Sequence, residues 1–362
     1  MPRIDRFINE LLRRSGSDLH LIAGHRPTMR VFGKLTQCEN LPELTGQEIE
    51  QMGFEIFAVE SKEKLPEVKN LDFAYEMTTD TGEHRRFRGN TYYQKQGLNI
   101  ILRAIPNEVP TLESLGLPPH LEKLTDHHQG LILATGPSGC GKTSTLAALV
   151  EIINRKKPCH IITVEDPIEY IFENKQALIN QRQVGIHVES FQMALKGALR
   201  EDPDVILIGE LRDLDTIQLA ITAAETGHLV LGTMHTASAP RTIDRVIDSF
   251  PVDQQSQIRT MLSESLKGVI TQKLLTRKDG TGRVPAVEVL VGTTSVANII
   301  RDGKTFQLPS TIQTGKKDGM VLMDNSIMDL LNKGLVDVEE AASNASDPSL
   351  FRKKPDPSYQ MI

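Results

Sequence analysis

Between Gly136 and Thr143 the chain reads Gly-Pro-Ser-Gly-Cys-Gly-Lys-Thr, which fits G-x-x-x-x-G-K-[ST] at every fixed position. Its flanks constrain the fold more than the motif does. Gly130-Leu-Ile-Leu-Ala-Thr135 is an apolar run of strand length, and Ser144-Thr-Leu-Ala-Ala-Leu-Val-Glu-Ile-Ile153 follows a helical pattern. Strand, glycine loop and helix in that order make a phosphate cradle. The glycines let backbone N–H groups close around a β-phosphate, and the helix N-terminus adds partial positive charge. Lys142 can then reach the β- and γ-phosphates, and the Thr143 hydroxyl can take a Mg²⁺ position. The expected nucleotide contacts are Pro137, Ser138, Gly139, Cys140, Gly141, Lys142, Thr143 and Ser144. A chain built this way binds a nucleoside triphosphate.

The surrounding pattern is that of an α/β protein. Apolar runs at Gly130–Thr135, His160–Glu165, 204–208 and 228–233 alternate with helical segments, which implies a mostly parallel sheet covered by helices. Upstream, residues 3–14 carry Ile4, Phe7, Ile8, Leu11 and Leu12 at helical spacing. Strand signals follow at 16–21, 26–33, 72–77, 85–93 and 98–104, with a helix opening at Thr45. Residues 1–105 therefore read as a small α+β domain. Pro106, Pro110, Pro118 and Pro119 mark a connector over 106–119, because proline removes backbone donors and fixes φ. Residues 120–342 form the nucleotide-binding domain with C-terminal helices, and 343–362 read as a poorly ordered tail.

At 362 residues the chain is long enough for two cores. Its 39% hydrophobic and 24% charged content is that of an ordinary soluble globular protein. A net charge of −6 offers no general attraction to nucleic acid, although a local basic patch is compatible with it. No apolar stretch is long enough to span a membrane, and the N-terminus is amphipathic rather than a secretory signal. Cys38, Cys140 and Cys159 form no C-x-x-C pair, so neither a zinc knuckle nor a disulfide framework is evident. The expected compartment is cytoplasmic.

Three further constellations narrow the chemistry. Asp204-Val-Ile-Leu-Ile-Gly-Glu210 is a buried strand ending in a carboxylate that can position a water or Mg²⁺ beside a γ-phosphate. Gly209 stands where the common pattern has an Asp, so another acid must share the work. Glu165, Asp166 and Glu169 supply carboxylates just past another strand, at the sheet edge where ligands bind; a solvated helix-capping cluster is the structural alternative. In Thr226-Gly-His228-Leu-Val-Leu-Gly-Thr-Met-His235-Thr236 a histidine stands at each end of an apolar strand. His235 is expected to sense the terminal phosphate, whereas His228 is as readily structural as catalytic. Arg85, Arg86, Arg88 and Arg103 lie on neighbouring strands of the small domain, where a guanidinium matches a phosphate.

Together these residues resemble the secretion and pilus motor ATPases. Glu165-Asp-Pro-Ile-Glu169 is similar to that family's acidic box, Gly209-Glu210 to its atypical Walker B, and His228 with His235 to its histidine box. Within the family, Gly16-Ser-Asp-Leu-His20, Arg200-Glu-Asp-Pro-Asp-Val-Ile-Leu-Ile-Gly-Glu-Leu-Arg-Asp213 and Ala223-Ala-Glu-Thr-Gly-His228 are very similar to the type IV pilus retraction ATPases, and the similarity runs to about residue 340.

The resemblance implies a RecA-like P-loop core, a smaller α+β PAS-like N-terminal domain and a homohexamer. Nucleotide would lie between one subunit's core and small-domain arginines, with Arg88 and Arg103 matching the contacting pair. It also implies Mg²⁺ with ATP, placement at the cytoplasmic face of the inner membrane, and an inner-membrane pilus platform protein as partner. No contact with nucleic acid is implied. The tetracysteine zinc motif and extra N-terminal domain usual in extension and secretion relatives do not occur here, which favours retraction. One departure stands out. Where retraction enzymes carry Ala-Ile-Arg-Asn-Leu-Ile-Arg-Glu, this chain reads Ser295-Val-Ala-Asn-Ile-Ile-Arg-Asp302, with Ala297 in place of the first Arg. That change, with the acidic Val338-Glu-Glu segment, leaves an accessory retraction ATPase acting with a paralogue as the alternative, and a nucleic-acid translocase on a RecA-like core as a further one.

Overall fold

The computed structural model describes residues 2–105 and 108–352. It divides into two units, residues 1–108 and 109–362. Pro106, expected in the connector, lies outside the described residues.

The first unit is a six-stranded antiparallel sheet backed by helices. Its strands are β1 (Gly16–Leu21), β2 (Thr28–Val31), β3 (Lys34–Gln37), β4 (Asn70–Thr78), β5 (His84–Gln94) and β6 (Gly97–Ile105), in the order β3-β2-β1-β6-β5-β4. The helices are α1 (Asp5–Arg13), α2 (Gly46–Ile56) and α3 (Val59–Val68). Thr45 caps α2 and Glu48 returns the bond to the Thr45 N–H, satisfying two otherwise orphaned donors. Period-two alternation sorts the sheet's faces. Leu19, Leu21, Phe87, Leu98, Ile100 and Leu102 point into a core shared with Phe7, Ile8 and Leu11 of α1. The intervening positions are therefore sent to the other face. Register then places Asp18 opposite Arg103, and Arg103 opposite Arg88, in one row across three strands.

The second unit carries a seven-stranded sheet in the order β13-β12-β7-β11-β10-β8-β9. These strands are β7 (Gly130–Thr135), β8 (His160–Glu165), β9 (Leu178–Gln183), β10 (Val205–Ile208), β11 (Leu229–Met234), β12 (Leu266–Thr276) and β13 (Arg283–Val291). All neighbours pair in parallel except β12 with β13. Every residue of β7 and β11 is buried, as befits central strands covered on both faces. Alternation along β7 shows why: Leu131 and Leu133 enter one core, and Ile132 and Ala134 the other.

The second of those cores is closed by α4 (Lys142–Lys156) through Leu146, Leu149, Val150 and Ile153. The first is closed by α5 (Phe191–Ala198), α6 (Leu214–Glu225), α7 (Ala239–Asp248), α8 (Gln255–Ser265), α9 (Thr294–Arg301) and α10 (Leu308–Thr314). Then come α11 (Met323–Asn332), α12 (Val338–Asn344) and α13 (Ser349–Arg352). They pack against Leu275, Val284 and Ala286 of the β12–β13 hairpin, with Phe351 buried among them. The tail expected from Ser343 onward thus begins in ordered helix, because Phe351 finds an apolar slot; residues 353–362 lie outside the described part.

Candidate functional site

The parallel strands β7 to β11 leave their carboxyl ends on one edge, and the phosphate loop rises from β7, between β12 and β11. Gly136, Gly139 and Gly141 have φ of 138°, 73° and 91°, which an L side chain rarely adopts. Pro137, Ser138 and Gly139 form the exposed crest of the loop, while Cys140 turns inward and burial pushes its thiol up. Lys142 is the first residue of α4 and only 8% exposed. Its ammonium donates to the carbonyls of Gly136 and Pro137, each at 3.0 Å, and lies 3.5 Å from His235 Nδ1. These acceptors are neutral, so a phosphate can compete for the cation without displacing a carboxylate. Thr143 is half-buried one residue on, and the Ser144 hydroxyl lies 2.7 Å from Tyr170 Oη.

Glu210 follows β10 by two residues. Its Oε1 lies 3.2 Å from His235 Nε2 and accepts from Arg212 Nε at 2.8 Å. Because an ammonium only donates, Nδ1 of His235 faces Lys142 as acceptor and Nε2–H is left to face Glu210. Lysine, histidine and glutamate thus form a chain leading from the cradle to the candidate base. Gly209 ends β10 tightly against β8: a Cβ there would stand 3.3 Å from Glu165 Cα and from Val164 O. A side chain at that position would press on the end of β8 unless the neighbouring strand shifted by a few tenths of an ångström.

Glu165 ends β8 and is 4% exposed. Burial pushes its carboxyl up, and hydrogen bonds from Thr163 Oγ1 at 2.7 Å, Gln181 Nε2 at 3.2 Å and the Glu169 N–H only partly offset this. Gln181 comes from β9, an edge strand that the sequence pattern does not announce. Its amide also donates to Tyr170 O at 2.8 Å, tying the acidic segment back to the sheet.

One expected residue is not brought to this edge. His228 precedes β11, and six strand residues at ~3.3 Å each separate the strand's two ends by roughly 20 Å. Its Nδ1 lies 3.0 Å from Ala223 O, and its N–H donates to that same carbonyl at 3.1 Å. Within the chain His228 therefore closes the end of α6 at the opposite edge, which is the structural one of the two roles that the sequence left open for it. Glu288 of β13 is an unanticipated contributor: buried at 7% exposure, it accepts from the Ala239 N–H at 2.7 Å and so fixes the segment that follows His235.

In the first unit, Asp18, Asp72, Arg88, Asn90, Ile101 and Arg103 line a cleft of about 430 Å³ on the sheet's outward face. Asp18, 4% exposed, accepts from Arg103 Nε at 2.7 Å. Burial would raise its carboxyl, but the Ser17 hydroxyl and the Arg103 guanidinium outweigh that and hold it below the ordinary range. Arg85 pairs with Glu83 and Arg86 with Glu76. Arg88 is exposed and makes no hydrogen bond or ion pair among the described residues. Of the four expected arginines, Arg88 and Arg103 are the two directed into the cleft.

Among the described residues no three His, Cys, Asp or Glu side chains gather to hold a metal, and no helix is long and apolar enough to cross a membrane. A cation here would rest on isolated oxygen donors such as the Thr143 hydroxyl and Glu210 carboxylate. That suits Mg²⁺, which takes few protein ligands and completes its shell with phosphate and water.

Comparison with known proteins gives a consistent picture. The family described as type II/IV secretion system protein matches residues 1–306. The chain is 44% identical over 348 residues, 95% of its length, to the type IV pilus retractation ATPase PilT of Pseudomonas aeruginosa, covering 99% of that protein. It is 34% identical to the type IV pilus ATPase PilU of the same organism, covering 96% of this chain and 90% of that one. A crystal structure of the pilus retraction motor PilT with bound ADP superposes with a TM-score of 0.87 at 41% identity, covering 96% of this chain and 98% of that one.

Proposed function

Because the chain belongs to the type II/IV secretion system protein family, and within it is a PilT-like ATPase, we propose that it couples Mg-ATP hydrolysis to retraction of a type IV pilus. The observation that carries the mechanism is the connected row Lys142, His235, Glu210 beside a glycine loop whose Gly136, Gly139 and Gly141 take positive φ. Lys142 holds the β- and γ-phosphates, with the loop amides and the N-terminus of α4 completing the cradle. The Thr143 hydroxyl and the Glu210 carboxylate would hold Mg²⁺, which would supply positive charge beside the phosphates. Glu210 orients the attacking water and accepts its proton, and His235 reports occupancy by the γ-phosphate. Glu165, at the same sheet edge and with its carboxyl pushed up by burial, shares water activation and metal positioning with Glu210.

Arg88 and Arg103 supply the cationic half. A guanidinium brought to a γ-phosphate from elsewhere stabilises transition-state charge and couples hydrolysis to movement of the part that carries it. In this reading the protein is a homohexamer in which each site takes its core from one subunit and arginines from a small domain. It acts at the cytoplasmic face of the inner membrane, peripheral to it, through an inner-membrane platform protein. Higher identity to PilT than to PilU favours the principal motor over the accessory one, whereas Ala297 on α9 is the departure that favours a paralogue-dependent role.

Specific ATPase activity measured against protein concentration tests this. We expect activity to climb cooperatively as rings assemble, and both Arg88→Ala and Glu210→Ala to remove it. Activity that ignores concentration and survives loss of Arg88 would mean a self-contained site and would overturn the ring motor.

A further inference from the structure

Gln272 lies on β12, the strand beside β7, and is 2% exposed. Its side-chain amide is engaged wholly with the phosphate loop and the helix behind it. Nε2 donates to the Cys140 carbonyl at 2.5 Å, and Oε1 accepts from the Thr145 hydroxyl at 2.7 Å. A carbonyl oxygen can only accept, so the first contact fixes which way the amide faces. Two glycines of the motif are fitted against this one residue. A Cβ at Gly136 would stand 2.3 Å from the Gln272 carbonyl oxygen, and one at Gly141 would stand 3.0 Å from Nε2. Next to it, the Thr271 and Thr135 hydroxyls lie 2.8 Å apart, joining the two strands where the loop begins.

The geometry of one peptide plane gives these contacts a consequence. In a trans peptide the carbonyl and the following N–H point in opposite directions. Drawing the Cys140 carbonyl toward β12 therefore turns the Gly141 N–H away from the sheet, into the cradle. We propose that Gln272 is a positioning residue for nucleotide: it aims the Gly141 N–H at the β-phosphate without touching the ligand. The inference rests on the reading of Gly136–Thr143 as the phosphate cradle.

Gln272→Met keeps length and burial but removes both hydrogen bonds. Its affinities for MgADP and AMP, by competition against a fluorescent ADP analogue, and its kcat and KM for MgATP are compared with wild type and Lys142→Ala. Loss of a preorganised donor weakens MgADP binding about 5- to 20-fold and raises KM by a similar factor. Affinity for AMP, which has no β-phosphate, should change by less than about 2-fold, and kcat by less than about 3-fold, because the contact serves ground and transition state alike. A general loss of structure would instead lower AMP and ADP affinity together, and that result overturns the inference. So does a folded Gln272→Met with unchanged MgADP affinity while Lys142→Ala loses it. If Lys142→Ala also binds MgADP normally, the cradle reading itself fails. Should Gln272→Met give no cooperative melt, Thr145→Val, which removes the hydroxyl's 2.7 Å bond to Gln272 and its longer 3.2 Å contact with the Gly141 carbonyl, carries the test: a loss of about 3-fold for MgADP alone is expected, and no change rejects the proposal.

Discussion

The two units present phosphate-binding chemistry in opposite ways. In the second, the cation is buried and internally satisfied: Lys142 is 8% exposed, holds two loop carbonyls and touches the row ending at Glu210. In the first, the cations stand in solvent. The Arg103 side chain is 67% exposed and held by one carboxylate, and Arg88 has no partner among the described residues. The cradle is thus a grasping site finished before its ligand arrives. The arginine face is a donor surface complete in its register but with one guanidinium free for an anion. A motor that converts occupancy into movement needs this asymmetry, since the group that completes the charge balance has to travel.

The most severe way to break the comparison is at the buried cation. Lys142→Ala should lower kcat about 10³-fold or more, because among the described residues no other side chain donates to the same loop carbonyls; a steady-state assay with MgATP checks it. Next comes the candidate base. Glu210→Gln should cost about 10²–10³-fold in kcat while MgATP affinity stays within about 3-fold, measured by turnover beside equilibrium binding. At the exposed face Arg103→Ala should cost about 10- to 100-fold in kcat. Arg103→Lys should recover little, since an ammonium cannot bridge Asp18 and a phosphate as a planar fork does.

The smallest effect concerns stability. Glu165 holds its proton to higher pH in the fold than at its ordinary value of 4.5, so within that window the native state binds more protons than the unfolded chain. Stability then falls as pH rises through the window, and the loss is complete above the raised value. Glu165→Gln removes it. The variant should melt with wild type below the ordinary value and show a higher Tm than wild type above the window, even as its turnover falls. A Tm advantage at low pH that vanished at high pH would contradict the burial argument.

Much of this was legible in the sequence because burial and spacing coincide there. β7, β8, β10 and β11 are apolar runs bounded by turn residues, and the cradle follows one of them. The pairing of Arg88 with Arg103 needs only the alternation of β5 and β6 plus the register that their turn imposes, whereas Asp18 joins that row through a long-range pairing of β1 with β6. What escaped was chemistry carried by strands without an apolar signature. β9 reads Leu-Ile-Asn-Gln-Arg-Gln and leaves Leu178 exposed at a sheet edge, yet its Gln181 holds Glu165. β12 and β13 are interrupted by Gln272, Lys273 and Pro285, and their polar members act on loops more than a hundred or about fifty residues away in sequence. No local pattern encodes such partners. For His228 the spacing placed it at the opposite end of β11 from His235, but only the fold shows its ring nitrogen meeting the Ala223 carbonyl at the end of α6.

The central claim is that cradle and arginine face belong to one site shared between subunits, and mixing two inactive variants tests it most directly. Lys142→Ala and Arg88→Ala proteins are combined in equal amounts under conditions where subunits exchange, and ATP turnover is measured. Shared sites pair an intact cradle from one variant with intact arginines from the other, so about a quarter of the wild-type rate should return if interfaces act independently. Mixed rings that form, as judged by co-purification of differently tagged variants, yet hydrolyse no more ATP than either variant alone would contradict the account.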